Sequence, residues 1–191
     1  MRRLTFYLIL TADGMYADPD GGLDHYDPAE PEHRFANELM RDAGDQVMGR
    51  KMYEVMRYWD EVDLDDPATP DVEREFALAW RATPKHVVTR GQPDVGPNAS
   101  ILEGDVVEAV RAMKADEGPD IALGAGAELF ATLAEAGLID VYRFLVIPKA
   151  IGRGKALFSG LSRTLDLRLV GTRTFPEGTL LLEYEPVPRE A

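Results

Sequence analysis

Short apolar runs separated by amphipathic stretches recur along almost the whole chain, and this order constrains the fold more than any single motif. Leu4 to Thr11 is continuously apolar and rich in strand formers, as expected of a central strand covered on both faces, and Asp13-Gly14 then turns the chain. Phe35, Leu39 and Met40 fall at helical spacing within Pro31 to Ala43, and a short strand follows at Gln46 to Met48. A helix begins at Arg50. Thr69-Pro70-Asp71 supplies an N-cap, a first-turn proline and an early acid for another that runs through Trp80.

The alternation continues with a strand at Lys85 to Thr89, then a capping-box pattern at Asp105 and Glu108 with Val106, Val110 and Met113 as a buried stripe. Ile121 to Leu123 resumes the sheet. Glu128 to Ala136 reads as a helix with Leu129, Phe130 and Leu133 inward and Gly137 as its C-terminal cap, and Val141 to Ile147 is a further buried strand. Leu165, Leu167 and Leu169 alternate with polar residues, and Thr179 to Tyr184 follows a Pro176-Glu177-Gly178 turn. The expected class is α/β: a mixed, mainly parallel sheet flanked by helices and ending in an antiparallel hairpin.

At 191 residues with 45% hydrophobic content, the chain is long enough for one well-buried core, and a single domain over residues 1–191 is expected. The longest polar stretch, Asp60 to Pro67, is a surface loop by its length. A formal net charge of -13 opposes a nucleic-acid groove or an anionic membrane surface, so small molecules or other copies are the expected partners. Without cysteine there is no disulfide framework and no thiolate metal site, which is compatible with a cytoplasmic location. Arg2-Arg3 and the apolar run behind them resemble a signal peptide briefly, but Thr11-Ala12-Asp13-Gly14 ends that run too soon.

In α/β folds ligands bind outside the carboxyl ends of strands, and three elements fall there. Gly49-Arg50-Lys51 closes a strand and opens a helix with two cations, a place for an anion to dock or simply a tight turn with solvated side chains. Thr89-Arg90 ends the next strand, where a guanidinium suits a cofactor 2′-phosphate. Gly124-Ala125-Gly126-Ala127-Glu128 precedes a helix and allows close approach of a pyrophosphate, or serves packing alone. It lacks the third glycine of the dinucleotide fingerprint.

These motifs, in this order, resemble the dihydrofolate reductase-like family, and within it the C-terminal reductase domain of riboflavin-biosynthesis proteins and its stand-alone relatives. The resemblance runs from Leu4–Gly14 through Gly49–Glu54, Gly124–Leu129, Gly137–Asp140, Ile147-Pro148 and Gly152–Phe158 to Thr179–Tyr184. It implies a hydride-transferring reductase that uses NADPH, with Gly49, Arg50 and Lys51 on the phosphates, Thr89 and Arg90 on the adenosine side, and Gly124, Ala125, Gly126, Ala127, Glu128 and Leu129 at the pyrophosphate. It also implies a homodimer. Ala125 stands where relatives commonly carry a third glycine, and Thr11-Ala12 replaces a more usual Ser-Leu.

Hydride addition to a C=N or C=O bond requires protonation of the neighbouring heteroatom, and Asp13, Glu30 and Glu32 are the candidate carboxylates. Tyr26, Tyr53 and Trp59 are candidates for an aromatic wall against a flat substrate, core packing being the other reading of each. His25, His33 and His86 lack metal-ligand spacing, so no metal is expected, and a G-x-S-x-G elbow is absent. The expected activity is reduction of a small planar heterocycle, with a ribosylaminopyrimidine of riboflavin biosynthesis foremost. A pterin or folate reductase and a non-catalytic module that retains the fold are the alternatives.

Overall fold

The computed structural model describes residues 1–188. In chain order the elements are β1 (Leu4–Thr11), β2 (Met15–Ala17), α1 (Glu30–Asp42), β3 (Asp45–Gly49), α2 (Arg50–Met56), α3 (Tyr58–Glu61), α4 (Asp71–Ala82), β4 (Lys85–Val88) and β5 (Ala99–Ile101). There follow α5 (Val106–Ala115), β6 (Ile121–Gly124), α6 (Ala127–Glu135), β7 (Val141–Ile147), β8 (Lys155–Ala156), a single 3-10 turn (Leu157–Gly160), β9 (Leu167–Thr174) and β10 (Leu180–Pro186). The main sheet is mixed and mainly parallel, with eight strands, and β2 pairs with β8 in a separate antiparallel ribbon. No helix among the described residues is long and apolar enough to cross a membrane.

The chain packs as two compact units, the first made of Met1–Arg3 with Pro28–Gly124 and the second of Leu4–Asp27 with the chain from Ala125 on. In the first, the strands run in the order β5-β4-β3-β6, all parallel, with Gly49 level with Val88 and Met48 level with Gly124. Its core is Met48, Tyr53, Phe76, Trp80 and Val87. Phe76, Ala77 and Trp80 lie one and four residues apart on α4, so one stripe of that helix is buried while Leu78 remains exposed.

Two helix readings change. The N-cap of α4 is Pro70, because the Thr69 hydroxyl is spent as a donor to the Asp63 carbonyl at 2.8 Å. On α1, Phe35, Leu39 and Met40 are only partly covered; the buried positions are Glu32 and Asn37. Ala36 and Met40 pack against the core of Phe76 and Trp80, and the Asn37 amide donates to the Val72 carbonyl and to Glu75 on α4, polar contacts that periodicity in apolar residues does not register. On α5, Asp105 caps as expected by accepting from the Val107 and Glu108 N–H groups, and Val110 is fully buried.

The second unit carries β1-β7-β10-β9, with β1 and β7 parallel and β7, β10 and β9 antiparallel. Leu4, Phe6, Leu8 and Leu10 of β1 are buried, while Thr5, Tyr7 and Ile9 are partly covered. Aromatic rings dominate its core: Phe6 lies 4.8 Å from Phe130, and Phe144 meets Phe6, Phe158 and Tyr184 at 5.7 to 6.2 Å. Gly137 ends α6 at φ 68°, the left-handed conformation that lets the Leu138 N–H reach back to the Leu133 carbonyl. The β9–β10 hairpin closes through Gly178, whose N–H donates to the Phe175 carbonyl.

Candidate active site

Parallel pairing of β4, β3 and β6 brings their carboxyl ends to one edge of the first unit, and three of the sequence-derived elements lie on that edge: Gly49 to Lys51, Thr89-Arg90 and Gly124. Gly49 is the N-cap of α2 in an extended conformation, φ -67° and ψ 143°, which any residue adopts. Its glycine is therefore not demanded by backbone strain; what it contributes is a strand end without a side chain. No side chain caps α2. Arg50, Lys51 and Arg90 are all exposed, and Arg50 forms an i,i+4 ion pair with Glu54 at 2.7 Å. Thr89 accepts from the Gly91 N–H, fixing the turn that follows β4.

Gly124 has a packing reason of its own. A Cβ built there would lie 2.9 Å from the Met48 Cε and 3.3 Å from the Met52 Cγ, so the glycine lets both thioether side chains close onto β6.

The rest of that loop, Ala125, Gly126, Ala127, Glu128 and Leu129, belongs to the second unit. Gly126 is the N-cap of α6 with no side-chain cap, and a Cβ there would stand 3.0 Å from the Tyr16 hydroxyl. Ala125 is fully buried. Asp13 also lies in this unit. Its carboxylate accepts from the Thr11 hydroxyl at 2.5 Å and from the Gly152 N–H at 2.7 Å, and these two contacts hold its pKa below the usual carboxylate range. A carboxylate so held stays ionised at neutral pH and staples the Ile151-Gly152 turn, an arrangement unsuited to delivering a proton. Tyr26 is partly covered, its N–H donating to the Leu23 carbonyl.

The candidate glutamates of α1 are both engaged. Glu30 is exposed and bridges to Arg34 at 2.7 Å, whereas Glu32 is buried and accepts from the Ala29 N–H as part of the helix start. The aromatic candidates separate in the same way. Tyr53 is 1% exposed, its ring stacked on Trp80, and its hydroxyl accepts from the Gly96 N–H at 2.7 Å; this buried side chain cannot serve as a wall against substrate. Trp59 is partly exposed and packs edge-on against Tyr58 and at 4.5 Å from Phe76.

The structure places His33, whose sequence spacing bears only on metal binding, among aromatic side chains. Its ring sits 5.6 Å from Trp59 and 5.8 Å from Phe76, and burial lowers its pKa despite the charge of Glu73, so the imidazole is neutral at pH 7. Its place three residues into α1, at helical spacing from Asn37, is the signal that marks it as turned towards α4.

The two guanidinium groups and the ammonium at the strand ends of the first unit are a donor set that suits a phosphate-bearing ligand. Among the described residues no group of three or more His, Asp or Glu side chains is placed to hold a metal ion.

Comparison with known proteins agrees with this architecture. The profile of the RibD C-terminal domain matches residues 2–181. The uncharacterized protein YyaP of Bacillus subtilis (strain 168) is 28% identical over 183 residues, which is 96% of this chain and 94% of that protein. Among solved structures, the diaminohydroxyphosphoribosylaminopyrimidine deaminase/5-amino-6-(5-phosphoribosylamino)uracil reductase of Thermotoga maritima superimposes with a TM-score of 0.69 at 15% identity, over 97% of this chain and 57% of that one. Dihydrofolate reductase from Enterococcus faecalis, complexed with NADP(H), gives a TM-score of 0.63 at 17% identity over 96% of each chain. The fold is thus that of the dihydrofolate reductase-like proteins, and the chain belongs to the RibD C-terminal domain family.

Proposed function

We propose that this protein is an NADPH-dependent reductase of a small planar heterocycle, with a ribosylaminopyrimidine of the riboflavin pathway as the leading substrate class. The observation that carries the reading is the meeting of Gly49-Arg50-Lys51 and Thr89-Arg90 at the ends of adjacent parallel strands in a chain of net charge -13. Three cations at one strand edge of so acidic a protein form a local anion site, and a dinucleotide with an extra 2′-phosphate is the cofactor that such a site favours. Family membership supports oxidoreductase chemistry.

When bound, the cofactor supplies a hydride. The chain's own part is to hold the phosphates through Arg50, Lys51 and Arg90 and to support a flat substrate beside Trp59. The pterin reading is disfavoured at Glu32, which is buried in the start of α1, since an acid that orients a pterin has to be available to the ring. The test is NADPH consumption in the presence of a phosphoribosylaminopyrimidine and, separately, of dihydrofolate. Turnover with the first supports the reading. Turnover with dihydrofolate alone favours the pterin alternative, and a protein that binds neither cofactor nor substrate favours a fold-retaining module.

A further inference from the structure

The segment between β4 and β5 begins with Thr89-Arg90 and is fastened at its far part to α2, the helix that starts with Arg50 and Lys51. The fastening is the Gly96 N–H, which donates to the Tyr53 hydroxyl at 2.7 Å. Tyr53 itself cannot shift easily, because it is fully buried and its ring stacks on Trp80 at 6.3 Å with an interplanar angle of 29°. Asp60 completes the anchor: it accepts from the Trp80 indole N–H at 2.8 Å, and a Cβ built on Gly96 would lie 3.4 Å from both its carboxylate and the Tyr53 hydroxyl. Between Arg90 and Gly96 the chain has Pro93, with Pro97 just beyond, and Val95 packs against the core around Tyr53. Pro93 fixes one φ within the span and Val95 is held by packing, so the tie at Gly96 restrains the segment as far as Pro93, three residues from Arg90.

We propose that the Tyr53 hydroxyl is the positioning group that sets Arg90 relative to Arg50 and Lys51, and thereby sets the preference for a 2′-phosphorylated dinucleotide. This rests on the cofactor reading above. Tyr53 does not touch the cofactor; it couples two basic elements through one hydrogen bond, and a mispositioned guanidinium loses the bidentate geometry that distinguishes it from a diffuse charge.

The experiment is Tyr53→Phe, which keeps the ring and removes only the hydroxyl, examined by amide hydrogen exchange and by calorimetric titration with NADPH and NADH. The expected result is faster exchange around Gly96, an NADPH affinity lower by about five- to tenfold, and an NADH affinity within about twofold of the original, the scale of one net hydrogen bond. In an Arg90→Ala background the same substitution is expected to add almost nothing to the NADPH loss, because the group it positions is already gone. Equal losses for both cofactors, or faster exchange with the preference intact, would overturn the positioning role while leaving the cofactor reading standing. Absence of NADPH binding by the unsubstituted protein would overturn the cofactor reading, and the positioning role with it.

Discussion

The two ends of the same parallel strands treat charge in opposite ways. At the amino ends, Asp45 opens β3 between two partners, Arg2 at 2.5 Å and His86 at 2.8 Å, with Arg2 donating also to the Pro119 carbonyl. Lys85 opens β4 fully buried, 4.5 Å above the Trp80 ring, and donates to the Thr83 carbonyl. At the carboxyl ends, Arg50, Lys51 and Arg90 are exposed, and Arg50 has a surface ion pair. Charge at the first end is largely withdrawn from water and held by protein partners, an ion pair at Asp45 and a carbonyl with an aromatic face at Lys85. Charge at the second end is kept in water, where it costs little to hold and remains accessible to a ligand.

This contrast is broken most forcefully at Asp45. Asp45→Asn leaves the nearly buried Arg2 guanidinium without its counter-charge and is expected to lower stability by about 3 kcal/mol with cofactor affinity unchanged, as measured by denaturant unfolding and calorimetry. The pH dependence follows from the same group. Burial pushes the Asp45 pKa up, but the hydrogen bonds from His86 and Arg2 outweigh it and the net shift is downward. The network's contribution is therefore present above the unfolded value near 3.8 and lost as pH falls through the lower folded pKa, and the Asn variant should lose that part of its acid sensitivity.

Arg90→Ala, at the opposite end, should do the reverse. Loss of a charge-assisted contact to a phosphate amounts to about 1.5–3 kcal/mol, or roughly 10- to 100-fold in NADPH affinity, with the melting temperature nearly unchanged. A smaller effect is expected at Lys85. Burial lowers its pKa, with Asp60 only partly opposing, so the folded state holds the ammonium less readily than the unfolded chain does. That penalty is full at neutral pH and is relieved as pH rises through the folded pKa towards the unfolded value of about 10.5. Relative to Lys85→Met, the natural protein should gain stability across this alkaline window, which a pH series of melting curves reads directly. Smallest of all, Glu54→Ala releases Arg50 from an exposed i,i+4 pair, changing stability by about 0.5 kcal/mol or less and raising NADPH affinity slightly.

The long elements were legible in the sequence because burial imprints a period on them. The β1 run, the run of α4 through Trp80 and the Asp105 cap are all visible from residue type and spacing. The ribbon β2–β8 and strand β5 were not, since two or three residues carry no period and the turn into β5 depends on Asn98 at φ 55°. At the candidate site the elements at the strand ends were legible, but the state of individual side chains was not. Glu32 and Tyr53 look like functional groups in the sequence and are committed to a helix start and to the core in the structure. A signal for Tyr53 existed: Met52, Tyr53 and Met56 form one apolar stripe on a helix of seven residues, and a residue in such a stripe is ordinarily buried.

The proposed function stands or falls on whether the exposed cations at the strand ends recognise a 2′-phosphate. Calorimetric titration of the natural protein and of Arg90→Ala with NADPH and NADH tests this. The prediction is tighter binding of NADPH than of NADH by the natural protein and a preference largely lost in the variant. Equal binding of both cofactors by the natural protein, or a preference untouched by the substitution, would contradict it.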